Sequence, residues 1–520
     1  MRNIYLLFAP SAEIRVKRLI MPLALLPVAA SIRRSPLFKN GDRVYVCDSF
    51  REVLERADSH AGDRVHFLVS STRVIRGLER PTNPAVECAA RLRRRRPDIF
   101  FGVGGPDVSL DPEAYRPSFD LVFQGEVGSV DLLDVVRSGV PFFQAPPADI
   151  NAEPLDYRPL SGKKYLAGSL QTARGCPHGC SFCNIAHFSG LAVRRLAPRL
   201  LEERLESLAD IHRGFVIIGD SNFAGGSAAA MKEYLDVLFR VQERRGFPFF
   251  VGLQASLQTS RHPDILRMMR AAQVVAVYIG VESPSADVLE AAGKKHNLGD
   301  PPARQIEAFL DHGIFPYLSM ILGLDGEDRG AGRRLREFLG ACRSPFLMLN
   351  LINPVAGSRL REQAAAAGRL LDHPLYGEYN LIPMKTDRPY AEVIKDYAET
   401  LRWFYSDRRL LGFCRDLEHN AGRVQDRRGR DVFAAGLSKG FLLKLLVLYL
   451  GLCLKAGSWS GLVQAVKAAG KSRSEALFSL AIRSVALGAK DAYRKTARRS
   501  LKGLARLRTA ELYPYERKRS

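Results

Sequence analysis

"ARGCPHGCSFCNIAHFSG", residues 173–190, places Cys176, Cys180 and Cys183 within eight positions of one another. Three thiolates brought to one point repel unless a cationic centre lies between them, so the spacing asks for a metal or an iron–sulfur cluster. Zinc wants a fourth ligand, and His187, four residues past Cys183, or His178 inside the loop could supply it. An iron–sulfur cube needs no such residue: three cysteines hold three irons and the fourth stays open to a small molecule. Phe182, directly before the third cysteine, sets an aromatic wall beside that open iron. A disulfide with one spare thiol is the poorest fit, because nothing else in the chain looks secreted.

Downstream of the loop, apolar runs recur: "GFVIIGDSNF", "FFVGLQASL", "VVAVYIGVESP", "FPYLSMILGLDG" and "PFLMLNLINP". Between them lie stretches such as "AAMKEYLDVLFRVQERRG", whose apolar residues return at three and four positions, the period of a helix. With a strand expected just before Cys176, these make about six βα units over 165–360, a partial barrel of the TIM type. Such barrels place chemistry at the carboxyl ends of their strands. The polar residues found there are Asp220, Ser221 and Asn222, then Gln254 and Ser256, then Glu282 and Ser283.

Upstream, residues 1–145 alternate "NIYLLFA", "RVYVCD", "RVHFLVSS", "DIFFGVGG" and "LVFQGE" with helical stretches, which predicts a parallel, Rossmann-like sheet. Its strands end in Ser70-Ser71, Gly104-Gly105 and Gly125-Glu126. Carboxyl ends of an open parallel sheet are docking places for ligands, although tight turns alone also use such residues. Residues 146–164, rich in Pro, Ala and Asp, read as a linker.

The net charge of +22 is concentrated at one end. From Gly436 onward eighteen Lys and Arg stand against four Asp and Glu, which leaves only +8 for the first 435 residues. No zinc finger, helix-turn-helix or RNA-binding aromatic signature accompanies that basic tail, so specific nucleic-acid recognition is not expected. Residues 361–520 read as helical, and "GFLLKLLVLYLGLCL", 440–454, is their most apolar window. It is too short for the roughly 20 residues of a spanning helix, so it lies in a membrane interface or packs as a core helix. The apolar "MPLALLPVAA" from Met21 follows a strand and basic residues, and reads as a buried helix start rather than a signal peptide. The expected location is cytoplasmic, with peripheral contact at the inner face of the membrane through the basic tail as a further option. The five remaining cysteines, Cys47, Cys88, Cys342, Cys414 and Cys453, are widely spaced and read as small buried hydrophobes.

The cysteine loop with Phe182 resembles the radical S-adenosylmethionine (SAM) enzymes, whose signature is Cys-x3-Cys-x-aromatic-Cys. "DSNF", "GVES", "SMILGLDGED" and "LINPVAGSRL" look like that family's successive strand-end motifs, so the resemblance spans about 165–365. "FFGVGGPDVSLDPEAY" followed by "DLVFQGEVGSVDLL" is similar to the cobalamin-binding domain that precedes the barrel in one large subgroup. The Asp-x-His-x-x-Gly loop through which many cobalamin proteins ligate cobalt is absent, and after the second strand the chain reads "CDSFREV". Residues 378–411 resemble the C-terminal extension of a branch that includes the hopanoid methylases.

The resemblance implies that Cys176, Cys180 and Cys183 hold a 4Fe–4S cluster, that Gly175 and Gly179 let the loop wrap it, and that SAM chelates the open iron. It implies SAM contacts at Phe182, Asp220, Asn222, Ser256, Glu282 and Ser283, with the adenine edge on the backbone around Gly323. Cobalamin, if carried, falls to Ser70, Gly104, Gly105, Gly125 and Glu126. The implied reaction is methylation of an unactivated carbon in a lipid or apolar metabolite, fed by an electron donor such as flavodoxin or ferredoxin. A cobalamin-independent oxidation or rearrangement is the alternative within the family. A zinc-stabilised basic protein that grips membrane or nucleic acid is the alternative outside it.

Overall fold

The structure is a computed structural model. It describes residues 2–9, 20–60, 64–71, 84–344, 346–371, 379–406, 408–410, 412–413, 490 and 492–507. The apolar window 440–454, Cys414 and Cys453 lie outside these residues. No helix among the described residues is long and apolar enough to cross a membrane. The chain divides into two compact units, one of residues 1–177, 183–225 and 355–359, the other of 178–182, 226–354 and 360 onward.

In the first unit, β1 (Arg2–Ala9), β2 (Arg43–Cys47), β3 (Arg64–Ser71), β4 (Phe100–Gly104), β5 (Leu121–Gln124) and β6 (Phe142–Gln144) form one sheet. Its order is β2-β1-β3-β4-β5-β6, parallel throughout. Ile4, Tyr5, Leu6 and Leu7 are all fully buried, so β1 is covered on both faces, which is why it reads as an unbroken apolar run. Strand β6, three residues beside the Pro-rich linker, carries too little pattern to be read beforehand. The "MPLALLPVAA" segment is indeed a buried helix start: Leu25–Arg34 is helical, and its Leu25, Leu26, Ala29 and Ile32 are in the core. The register sets Ser70 beside Gly104, so the carboxyl ends of β3 and β4 share one edge.

The same unit holds β7 (Ala167–Leu170), the two-residue β8 (Ala173–Arg174) and β9 (Arg194–Arg195), and β10 (Gly214–Ile218). Strands β7 and β10 pair in parallel, while β8 and β9 form an antiparallel neck around residues 175–193.

In the second unit, β11 (Phe249–Ala255), β12 (Val274–Glu282), β13 (Phe315–Leu322) and β14 (Phe346–Leu351) lie in the parallel order β14-β13-β12-β11. Helices Ala228–Arg244, Pro263–Ala271, Pro302–Asp311 and Ala331–Ala341 alternate with them, as the three-and-four periodicity predicts. Val277, Ile279, Val281, Leu318 and Met320 are fully buried. The intervening Tyr278, Tyr317 and Ser319 are only half-buried, so period 2 assigns them to the opposite face. That face also carries Phe346, whose ring stacks on Tyr317 at 5.8 Å, and Tyr278 lies 5.2 Å from Tyr317.

Beyond the strands, helix Tyr390–Phe404 lies on helix Ala331–Ala341 at Gly332, where a Cβ would stand 2.1 Å from the Asp396 carboxylate. The helical turns over 492–504 bury Ala497 and Ser500 and bring Tyr493 onto Tyr405, ring centroids 4.7 Å apart, with its hydroxyl 3.3 Å from that of Tyr317.

Candidate active site

Strand β10 ends in "IIGD", and Gly219 there donates its N–H to the Leu170 carbonyl at 2.8 Å, continuing the β7 pairing. Asp220 follows, fully buried. Its carboxylate accepts from the N–H groups of Thr172 (2.7 Å), Ala173 (3.0 Å) and Ala224 (3.2 Å), and from the Thr172 hydroxyl. Burial pushes its pKa up to about 6, against those hydrogen bonds, which favour the charged form. The sequence proposes Asp220 for orienting SAM or substrate; its carboxylate is enclosed here and anchors the backbone entering the cysteine loop. Asn222, two residues on, is different. It is 5% exposed and its Oδ1 is buried without a hydrogen-bond partner, so it keeps an acceptor for a ligand.

Gly175 opens the loop at φ +93°, and a Cβ there would stand 2.4 Å from the Ala192 carbonyl oxygen. Only glycine adopts that turn at that approach. Cys176 donates its N–H to the Gly190 carbonyl at 3.2 Å. Cys176, Cys180 and Cys183 form no disulfide, Cys180 being buried and the others half-buried. Three thiols with open space at Gly179, where a Cβ would meet nothing within 4 Å, suit a bulky cluster. Among the described residues no three His, Cys, Asp or Glu side chains are gathered to hold a metal ion as they stand. Neither histidine raised for zinc turns toward the thiols: the His187 ring packs on Gly357, and His178 stacks on His296 with ring centroids 3.6 Å apart. Burial, then Lys294 and His178, push His296 down to about 3, and burial and Lys294 lower His178. Neutral rings can stack that closely; two imidazolium ions would repel.

In the second unit, the "GVES" segment ends β12. The β12–β13 register shifts between Gly280 and Glu282, and Glu282 sits at φ +69°, a conformation that side-chain-bearing residues rarely adopt. The bulge re-aims its carboxylate toward Lys294, whose Nζ lies 3.1 Å away, while the Ser319 hydroxyl approaches at 3.4 Å. Lys294 also stands 5.9 Å from the centre of the Phe182 ring, over its face. Asn297 holds the strand end in place by donating to the carbonyls of Gly280 (2.8 Å) and Val281 (3.2 Å). Glu282 and Phe182 are candidates already from the sequence; their neighbour Lys294, twelve residues beyond the strand end in "GKKHN", is not.

The other strand-end residues divide. Ser283 is buried and its hydroxyl accepts the Ser285 N–H, closing a turn. Ser256 makes no side-chain capping bond at the end of β11. Gly323, at φ +92°, donates its N–H to buried Glu327 at 3.0 Å, and a Cβ on it would come within 2.9 Å of Ile352. Below this turn lies a cavity of about 400 Å³ lined by Ser181, Ala292, Leu324, Asp325, Ile352 and Arg369. Arg369 grips Asp325 with two nitrogens at 3.0 and 2.6 Å, which fixes one wall. Ser181, inside the cysteine motif, donates its N–H to the Ala292 carbonyl at 2.9 Å and accepts from the Leu360 N–H at 2.8 Å. The cavity therefore unites the motif with the "ILGLDG" turn.

On the N-terminal sheet, Ser70, Gly104 and Gly105 lie at the carboxyl edge, and Gly125 turns at φ +100° with a Cβ position 2.6 Å from the Ala145 carbonyl. The loops after β1 and β3, residues 10–19 and 72–83, lie outside the described residues. "CDSFREV" is a helix start: Ser49 accepts the Glu52 N–H and the Glu52 carboxylate accepts the Asp48 N–H. Asp48 itself receives the Tyr165 hydroxyl at 2.5 Å and the Lys163 ammonium at 3.2 Å. The edge thus offers hydroxyl and backbone groups to a ligand. Glu126, expected to join them, is instead engaged by Arg194 and Arg174.

The sequence profile of the Radical SAM superfamily matches residues 170–339. The hopanoid C-2 methylase of Rhodopseudomonas palustris is 32% identical over 325 residues, 60% of either chain, so the match spans less than two thirds of that relative. The cobalamin-dependent radical SAM methyltransferase TokK of Streptomyces tokunonensis is 25% identical over 49% of this chain and 42% of its own. Among solved structures, the cobalamin-dependent SAM radical enzyme OxsB with aqua-cobalamin bound superposes with a TM-score of 0.60 at 13% identity, over 99% of this chain and 82% of its own. The radical SAM methyltransferase TsrM of Kitasatospora setae, with cobalamin and a 4Fe–4S cluster bound, gives 0.55 at 16% identity over 72% and 79%. At such identities the likeness is one of fold, and it agrees with a parallel N-terminal sheet followed by the strands of a radical SAM barrel.

Proposed function

We propose, from the premise that residues 170–339 are a radical SAM domain, that this protein is a radical SAM methyltransferase acting on an apolar carbon skeleton. Such a domain implies a 4Fe–4S cluster and SAM, and Cys176, Cys180 and Cys183 are the residues to hold the cluster. When bound, the cluster and SAM together supply a 5'-deoxyadenosyl radical, a hydrogen abstractor stronger than any side chain can provide.

The chain's own residues divide the remaining work. The strand end of Glu282 with Lys294 and Phe182 carries the reading, because it sets an anion, a cation and an aromatic face together beside the motif. Lys294 suits SAM's carboxylate and Glu282 its ribose hydroxyls or amino group. The cavity under Gly323 takes the adenine, whose flat apolar ring matches Leu324, Ile352 and Ala292. Enclosure by these walls keeps water from a reactive primary radical.

Methyl transfer rather than oxidation is supported by the named methyltransferases among the relatives. Cobalamin is the methyl carrier in this reading, held at the edge of Ser70, Gly104 and Gly105 by backbone and hydroxyl groups. The half-buried aromatic face of Tyr278, Tyr317 and Phe346 favours a lipid or other apolar substrate. A low-potential protein such as flavodoxin or ferredoxin supplies the electron, and the basic tail allows peripheral membrane contact.

The test is anaerobic purification from cobalamin-fed cells, with spectra, iron analysis and mass spectrometry of extracted cofactors, followed by SAM cleavage assays. An iron–sulfur band, bound cobalamin and reductant-dependent 5'-deoxyadenosine support the proposal. Cleavage that persists in a Cys180→Ala variant shown to lack the cluster would overturn it. A cluster without cobalamin would move the reading to oxidation or rearrangement.

A further inference from the structure

The neck of the cysteine loop is built against its own charge. In the β8–β9 ladder Arg174 stands directly opposite Arg194. Side chains so paired are about 5 Å apart at Cβ, and like charges there repel. Both guanidiniums are largely buried, 17% and 22% exposed, so solvent does little to screen them.

Two carboxylates answer them, unequally. Glu153, 3% exposed, meets Arg174 and not Arg194, at 2.6 and 2.9 Å. Glu126 meets both: Arg194 in a two-nitrogen fork at 2.7 Å each, and Arg174 at 3.0 Å. Its Oε2 also accepts the Ala148 N–H at 3.0 Å, and Arg194 returns a bond to the Ala148 carbonyl at 2.5 Å. Burial alone would raise the Glu126 pKa, but the Arg194 hydrogen bonds and both arginine charges hold it below the ordinary value. The carboxylate is therefore ionised at neutral pH.

We propose that Glu126 is a positioning residue for the cluster: its charge offsets the repulsion between Arg174 and Arg194 across the neck, and so lets the two strands set the path of Cys176 and Cys183. Rather than touching a ligand on the N-terminal sheet, its side chain carries that sheet's last turn to the loop that holds the irons. The inference rests on the cluster reading above. Removing Glu126 leaves Arg174 with Glu153 but leaves Arg194 facing a like charge; removing Glu153 leaves the bridge intact.

The experiment compares Glu126→Gln, Glu153→Gln, Arg194→Met and the double variant Glu126→Gln/Arg194→Met in the full chain after anaerobic reconstitution. Iron and sulfide per chain are measured, with the electron paramagnetic resonance spectrum of the reduced cluster before and after SAM. E126Q is expected to lose iron about threefold or more and to show a broadened, SAM-insensitive signal, whereas E153Q loses less than half that. The double variant should recover most of the iron and the SAM response, because the repulsion has gone with the charge. If E126Q folds poorly, Arg194→Met alone decides the matter, and is expected to keep its cluster. A wild-type protein that takes up no cluster overturns the functional reading itself. A loaded wild type with an equally loaded E126Q, an R194M variant that loses its cluster, or a double variant no better than E126Q overturns this charge-offsetting role.

Discussion

The ammonium of Lys294 lies 3.1 Å from the carboxylate of Glu282, with the two side chains only 10% and 8% exposed. A buried pair contributes little over an apolar substitute, yet removing one partner strands the other. Lys294→Met is therefore expected to cost about 3–5 kcal/mol of unfolding free energy in denaturant titrations. Adding Glu282→Gln should return at least half of it. A single variant as stable as wild type would show that Glu282 is not dependent on Lys294.

Gly175→Ala places a methyl 2.4 Å from a backbone carbonyl at φ +93°, and backbone cannot step aside as a flexible side chain can. The strain should fall on the loop rather than on the sheets. Expected is a far-ultraviolet circular dichroism spectrum like wild type with iron loading reduced at least about fivefold. Full loading in this variant would mean the loop reaches its cluster-bound path without the turn seen here.

Asp220 gives a pH signature. Its folded pKa, about 6, lies above the 3.8 of the unfolded chain, so the native state holds the proton more tightly. The resulting stability is complete below the unfolded value and is lost as pH rises through the folded one. Relative to Asp220→Asn, wild type should lose on the order of 3 kcal/mol between pH 4 and pH 6.5, because each pH unit separating the two values corresponds to about 1.36 kcal/mol. Parallel denaturation midpoints for the two proteins across that range would refute the enclosed, proton-holding carboxyl.

Ala367 lies at the rim of the 400 Å³ cavity. Ala367→Trp should fill it and weaken SAM binding by about tenfold or more, as read by calorimetry on reconstituted protein, while stability moves by less than about 0.5 kcal/mol. Unchanged affinity would place the adenine elsewhere.

Much of this was legible in one dimension. Fully covered strands such as β1 read as unbroken apolar runs, and the half-covered ones such as β13 as alternation, so the parallel sheets followed from pattern. The cysteine spacing and the "GVES" strand end pointed to candidate residues because both are local. What escaped was the partnership of distant charges. Glu126 meets residues 48 and 68 positions away, and the opposition of Arg174 to Arg194 exists only once the loop between them has closed. The Thr172 partner of Asp220 escaped for a related reason: a strand-end carboxylate looks the same in sequence whether it faces a ligand or Thr172.

The last described helix has a meaning for genetics. Tyr493 bonds the hydroxyl of Tyr317 and stacks on Tyr405, Ser500 donates to the Asn380 carbonyl at 3.0 Å, and Gly503 leaves room for Tyr379 where any Cβ would stand 2.3 Å away. A premature stop codon between Cys453 and Lys490 would delete all three attachments while sparing every cysteine and every described strand. Alleles truncated in the tail should then score as null in a complementation screen, and suppressors of them should map to the surface around Tyr379, Asn380 and Tyr405 rather than to the cluster loop.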